Sequence, residues 1–135
     1  MRLIALDHVV ISVRSLDESV PFYRDILGMD DLLFGGGRHA LHFGAQKINL
    51  HEVGEAIAPK ATTVTPGAAD LCFLVENLDA AIHRLQEHAV EILEGPVYRQ
   101  GANSAVLSVY VRDPDGNLIE LAQPENVVLA SSDSS

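Results

Sequence analysis

The chain has 135 residues and a formal net charge of −10, from 19 Asp and Glu against 9 Lys and Arg. A chain of this size buries about two thirds of its unfolded surface and folds without disulfides, and its single cysteine, Cys72, can form none within the chain. The acidity removes the counterion-release drive toward nucleic acid and disfavours anionic membranes. No stretch approaches the roughly 18 consecutive apolar residues of a membrane span. The N-terminal apolar run is short and broken by charge, unlike a signal peptide. The expected compartment is therefore the cytoplasm.

In chain order, Leu3 to Val13 is rich in Val, Ile and Leu and predicts a buried strand. Ser15 and Glu18 have capping-box spacing, and Leu16, Val20, Tyr23 and Leu27 form a helical stripe ended by Gly28. Pro21 removes a backbone donor inside that helix and predicts an irregularity. Three short strands follow, Asp31 to Gly35, His39 to Phe43 and Lys47 to Glu52, closing a first module over 1–53. Residues 54–68 carry Gly54, Pro59, Pro66 and Gly67 and read as a linker.

A second module then spans 69–124: a strand from Ala69 to Val75, a helix capped by Asn77, and a short strand from Val90 to Leu93. It ends in a hairpin of Ala105–Arg112 and Asn117–Ala122 around Asp113-Pro114-Asp115-Gly116, a composition that suits a plain turn. The polar tail 125–135 reads as flexible. A shift of 62 residues lays Asp7-His8-Val9-Val10-Ile11-Ser12-Val13 over Ala69-Asp70-Leu71-Cys72-Phe73-Leu74-Val75 and Leu16-Asp17 over Leu78-Asp79. Units this short cannot each bury a core, so the repeat predicts paired modules about a pseudo-two-fold axis and a shared cleft.

Strand alternation puts Val9, Ile11 and Val13 on one face and His8, Val10 and Ser12 on the other. By the same parity Asp70 and Cys72, then Asn49 and His51, then Glu120, project toward the expected cleft. The bland reading of a lone strand histidine is a hydrogen-bonded group, and of a free cysteine a small hydrophobe. Glu120 lies in the apolar run Asn117-Leu118-Ile119-Glu120-Leu121 and demands a partner if buried. Together His8, His51, Asp70 and Glu120 form a mixed N/O donor set suited to zinc, nickel, manganese or iron, and less to magnesium. His42, of undetermined parity, is a substrate-contact candidate, whereas His39, His83 and His88 read as surface residues.

The runs Leu6–Val13, Phe22-Tyr23-Arg24-Asp25-Ile26-Leu27-Gly28-Met29 and Asp113-Pro114-Asp115-Gly116-Asn117-Leu118-Ile119-Glu120-Leu121 resemble the vicinal oxygen chelate superfamily, the glyoxalase/bleomycin resistance/dioxygenase family. The segment Gln46-Lys47-Ile48-Asn49-Leu50-His51-Glu52 is similar to a stand-alone glyoxalase-domain branch that includes a bacterial virulence-associated protein. The resemblance implies an α+β fold of two paired βαβββ modules forming a curved mixed sheet around a cleft. It also implies a divalent metal acting as Lewis acid on vicinal substrate oxygens. Its ligand positions fall on His8 and Glu120, with Asn49 by strict alignment and His51 two residues on. Asp70 stands where the family usually has His.

The implied activity is that of a glyoxalase-I-like lyase or isomerase acting on a small molecule, with Glu120 and then Asp70 moving the proton. A fosfomycin-resistance-type thiol transferase and an extradiol dioxygenase are alternatives, and a metal-free drug- or metabolite-binding protein is the rival from another class. Arg99 is a candidate partner for an anionic group, Asn49 a further substrate contact, and a homodimer the expected assembly.

Overall fold

A computed structural model describes residues 1–125; the tail expected over 125–135 lies, apart from Glu125, outside the described residues. The chain divides into two units, Met1–Ala69 with Asp113–Gly116, and Asp70–Arg112 with the chain from Asn117 on. Each unit holds one βαβββ module and one four-stranded sheet, so the repeat legible in the sequence is a repeat of topology.

In the first unit, β1 (His8–Val13), β2 (Asp30–Phe34), β3 (Arg38–Phe43) and β4 (Gln46–Glu52) pair in the order β1-β4-β3-β2. β1 is parallel to β4 and the other pairs are antiparallel. Alternation sends Ile11 and Val13 of β1, Leu41 of β3 and Ile48 and Leu50 of β4 into the core, with Val20, Phe22 and Tyr23 from the helical segment. Phe22 and Tyr23 meet edge to face, with ring centroids 5.2 Å apart.

The first strand is shorter than its apolar run. Pairing starts at His8 opposite Lys47, and β4 begins only at Gln46, so residues before His8 have no partner in that ladder and Leu3, Ile4 and Leu6 are exposed. The helix departs from expectation at its start. Ser15 makes no side-chain cap; Leu16 N–H donates instead to Glu52 Oε1 at 2.8 Å, and the amides of Glu18 and Ser19 go to the Ser15 carbonyl. Pro21 does mark an irregularity: α1 (Leu16–Pro21) gives way to a π-helical turn, Phe22–Ile26, closed by Leu27 N–H on the Phe22 carbonyl. Gly28 follows at φ 80°, the left-handed residue that ends the segment.

Asp113–Gly116 is more than a hairpin turn, because both carboxylates belong to the first unit's interior. Tyr23 Oη donates to Asp113 Oδ2 at 2.6 Å, and Ser19 Oγ to Asp115 Oδ2 at 3.3 Å. Arg14 reaches Asp115 Oδ1 from both its amide and its guanidinium, each at 3.1 Å. Gly67 passes so close to this turn that a Cβ there would stand 2.4 Å from the Asp115 carbonyl oxygen.

In the second unit, β5 (Asp70–Leu74), β6 (Glu94–Gln100), β7 (Ala105–Arg112) and β8 (Leu118–Pro124) repeat the pattern as β5-β8-β7-β6. α2 (Leu78–Glu87) is capped as read: Asn77 Oδ1 accepts from Ala80 N–H at 3.0 Å. Leu78 and Leu85 are its buried residues. The strand expected at Val90–Leu93 lies further on, at Glu94–Gln100. A bulge between Glu94 and Val97 lets this edge strand hold Pro96. Arg99 and Gln100 are its last residues.

Candidate functional site

On the first sheet the ladder pairs His8 with Lys47, Val10 with Asn49 and Ser12 with His51, while β3 sets His42 beside Lys47. Cross-strand partners share a face, so His8, His42, Asn49 and His51 all lie on the face opposite the Ile11–Val13 core, which settles the parity of His42. The register does not bring His8 and His51 together. They stand four positions apart, about 13 Å along the strands, whereas Asn49 is two positions, about 7 Å, from His8.

His8 Nδ1 lies 2.8 Å from Asp7 Oδ2. That contact, with the charge of His8, lowers the Asp7 pKa. In a neutral imidazole it fixes the proton on Nδ1 and leaves the Nε2 lone pair free, the arrangement typical of a metal-ligating histidine. Burial depresses the His51 pKa, reinforced by Arg38 and opposed by Glu55, so its ring is neutral at physiological pH. Asn49 is 6 % exposed, and its Oδ1 is a buried acceptor with no hydrogen-bond partner. Lys47 Nζ sits 4.6 Å over the Phe34 ring. His39, read as a surface residue, is half-buried, with Nδ1 2.7 Å from Asp31 Oδ1.

On the second sheet the register sets Cys72 opposite Glu120 and Asp70 opposite Leu118. Asp70, Cys72 and Glu120 therefore share one face, with Asp70 exposed at the head of β5. The partner that Glu120 demanded is Ser108, fully buried on β7, whose hydroxyl donates to Glu120 Oε2 at 2.6 Å. The sequence carried a signal for this: Ser108 is the one aliphatic hydroxyl in the apolar run of β7. Desolvation by its neighbours, the Glu120 carboxylate and then Asp70 push the Cys72 thiol up to about 11, so it is protonated and a poor nucleophile at neutral pH.

Arg99, the candidate partner for an anionic group, is engaged within its own sheet. Its guanidinium donates to Glu94 Oε2 at 2.7 Å and to Tyr110 Oη at 3.1 Å, so its charge is already met within β6 and β7. A cavity of about 470 Å³ opens on the Glu120 face of this sheet, beside Cys72 and the turn before β7.

Among the described residues no three His, Cys, Asp or Glu converge on one point. Each sheet instead presents a short set of donors on one face. The donor types are ones a divalent transition metal accepts: on the first sheet an oriented imidazole and an amide oxygen lacking a partner, on the second two carboxylates.

Two βαβββ modules, each carrying a four-stranded mixed sheet with the same strand order, define the fold. The chain belongs to the Glyoxalase/Bleomycin resistance protein/Dioxygenase superfamily, whose family model matches residues 5–121. It is 52% identical over 120 residues to the glyoxalase domain-containing protein RDO1 of Mycosarcoma maydis, covering 87% of this chain and 67% of that protein. It is 44% identical over 119 residues to the virulence protein STM3117 of Salmonella typhimurium, covering 87% and 83%. Among solved structures, an integron cassette protein from the mobile metagenome of V. cholerae superposes with a TM-score of 0.89 at 48% identity, covering 91% of this chain and 97% of that one.

Proposed function

We propose that the chain is a metal-dependent lyase or isomerase of glyoxalase type whose substrate is a small molecule with two vicinal oxygens. A divalent zinc, nickel, manganese or iron ion, held by His8 and Glu120 with Asp70 and a second donor from β4, would supply Lewis-acid stabilisation of charge on a substrate oxygen. The strand register favours Asn49 over His51 as that second donor and leaves His51 and His42 as substrate contacts. The working form is a homodimer, the assembly common in this superfamily.

The chain's own residues do the following. Asp7 orients His8 through Nδ1. Ser108 holds Glu120 Oε2 and so fixes the plane of the carboxylate, which takes a proton from substrate carbon and returns it to the neighbouring one. Asp70, on the same face, is the second proton acceptor.

The observation that carries this reading is the Glu120–Ser108 contact: a carboxylate inside an apolar strand, oriented by a fully buried hydroxyl at 2.6 Å. A deuterium-exchange assay tests it. Dihydroxyacetone and the hemithioacetal of methylglyoxal are followed by NMR in D₂O with metal-loaded protein. Exchange at the hydroxyl-bearing carbon next to the carbonyl is expected, falling about 10²–10⁴-fold in Glu120→Gln and about 10-fold or more in Ser108→Ala. Exchange that both variants retain in full, or none in the wild type with any of the four metals, contradicts the proposal. A metal-free binding protein is the second reading, favoured by the cavity beside Cys72; it predicts ligand binding with no exchange.

A further inference from the structure

The cavity beside Glu120 constrains the body of the ligand. Its volume, about 470 Å³, is in the range of small-molecule sites. Its floor is Cys72 and Leu74 of β5, Val106 of β7 and Pro124 of β8. All four lie on the Glu120 face, since Cys72 pairs with Glu120, Leu74 with Ala122 and Val106 with Pro124. Leu74 is 68 % exposed, an apolar side chain open to solvent.

The wall is the turn carrying Ala102, Asn103 and Ser104. It is fixed by Gly101 N–H donating to the Ser104 carbonyl at 2.8 Å, and a Cβ at Gly101 would stand 2.6 Å from that oxygen. The polar groups on this wall are an amide and a hydroxyl, both neutral. The lining includes no Asp, Glu, His, Lys or Arg side chain. Arg99, at the end of β6, is engaged by Glu94 and Tyr110. An anion entering here would lose its hydration to an apolar floor with no cationic side chain in the lining to replace it, which is unfavourable.

We propose that the ligand of the Glu120 face is an uncharged molecule with a compact alkyl or aryl body, seated on Leu74, Val106 and Pro124, with its oxygens toward Glu120. This excludes anionic thiol adducts and phosphonates as preferred ligands. The substrate assignment rests on the proposed role of Glu120, but the binding preference does not, so the two are separable.

The test is calorimetric binding to the metal-free full chain. One probe series is neutral α-hydroxyketones of about four to ten carbons; the other is 2-oxo carboxylates of matching length. Affinity for the neutral series is expected to rise about threefold per added methylene until the cavity is full. Carboxylates of equal length should bind at least about tenfold more weakly. Leu74→Lys, at an exposed position, should erase that discrimination. Ala102→Trp, on the wall, should cut off the gain for the longer chains, which keeps the test decisive if the first variant misfolds. Affinity indifferent to chain length, or carboxylates bound as tightly as ketones, overturns the proposal. So does a Leu74→Lys protein that dissociates into smaller species with unchanged binding, because the patch then belongs to a second copy of the chain. Length-dependent neutral binding without deuterium exchange supports this proposal and overturns only the lyase reading.

Discussion

Tyr23 is fully buried and spends its hydroxyl on Asp113 at 2.6 Å. Burial, then the charges of Asp113 and Asp115, drive its pKa far above the usual 10. The folded phenol therefore holds its proton where an unfolded one loses it. The stability it contributes is complete below about pH 10 and is lost as the pH rises beyond, since the unfolded chain then releases a proton the folded chain keeps. Tyr23→Phe should cost about 1–3 kcal/mol at neutral pH, by removing the donor from a buried carboxylate. It should also flatten the decline of the urea midpoint above pH 10. An equally steep alkaline decline in the variant would show that the decline arises elsewhere.

At this scale the sequence disclosed Glu120 well and its surroundings poorly. A carboxylate in an apolar strand announces a partner, but strand sequence alone does not say which neighbour provides it; only the β7–β8 register brings Ser108 alongside. The same limit applies to His51. Parity puts it on the face of His8, yet parity is blind to distance along the strand, which the parallel β1–β4 ladder sets at four positions. Arg99, read as a contact for an anionic group, also meets Glu94 and Tyr110 in the fold, partners that strand sequence alone does not reveal.

At the scale of elements, the two helix starts look alike in sequence but differ in structure. Asn77 caps α2 through its side chain, whereas Ser15 makes no such bond because Glu52 of β4 supplies the acceptor to Leu16. Asn77→Ala should lower stability by about 1 kcal/mol, and Ser15→Ala by only a few tenths, by thermal or urea unfolding. A larger loss at Ser15 than at Asn77 would contradict this assignment. Tertiary rescue of a helix end is invisible to a local capping rule, just as the absence of a partner for residues before His8 is invisible to hydropathy. The Pro21 irregularity was legible because a proline's missing donor is a property of the residue itself.

At the scale of the whole molecule, the internal repeat was the most readable feature. β1 begins at His8 and β5 at Asp70, the same 62-residue offset found between the two apolar runs, and both sheets repeat one strand order. The Asp113–Gly116 turn was not readable: turn composition identifies a bend, and nothing local reveals that its carboxylates serve Tyr23, Ser19 and Arg14 of the first unit. No helix among the described residues is long and apolar enough to cross a membrane.

The central claim is that His8 and Glu120 hold a catalytic divalent metal. Its most direct test is elemental analysis of protein purified without chelator or affinity-tag metal, comparing wild type with Glu120→Gln and His8→Gln. Near-stoichiometric zinc, nickel, manganese or iron in the wild type, reduced in both variants, is the predicted result. A wild-type protein that carries no metal and takes up none of the four ions on titration, or variants that retain the full complement, would contradict it.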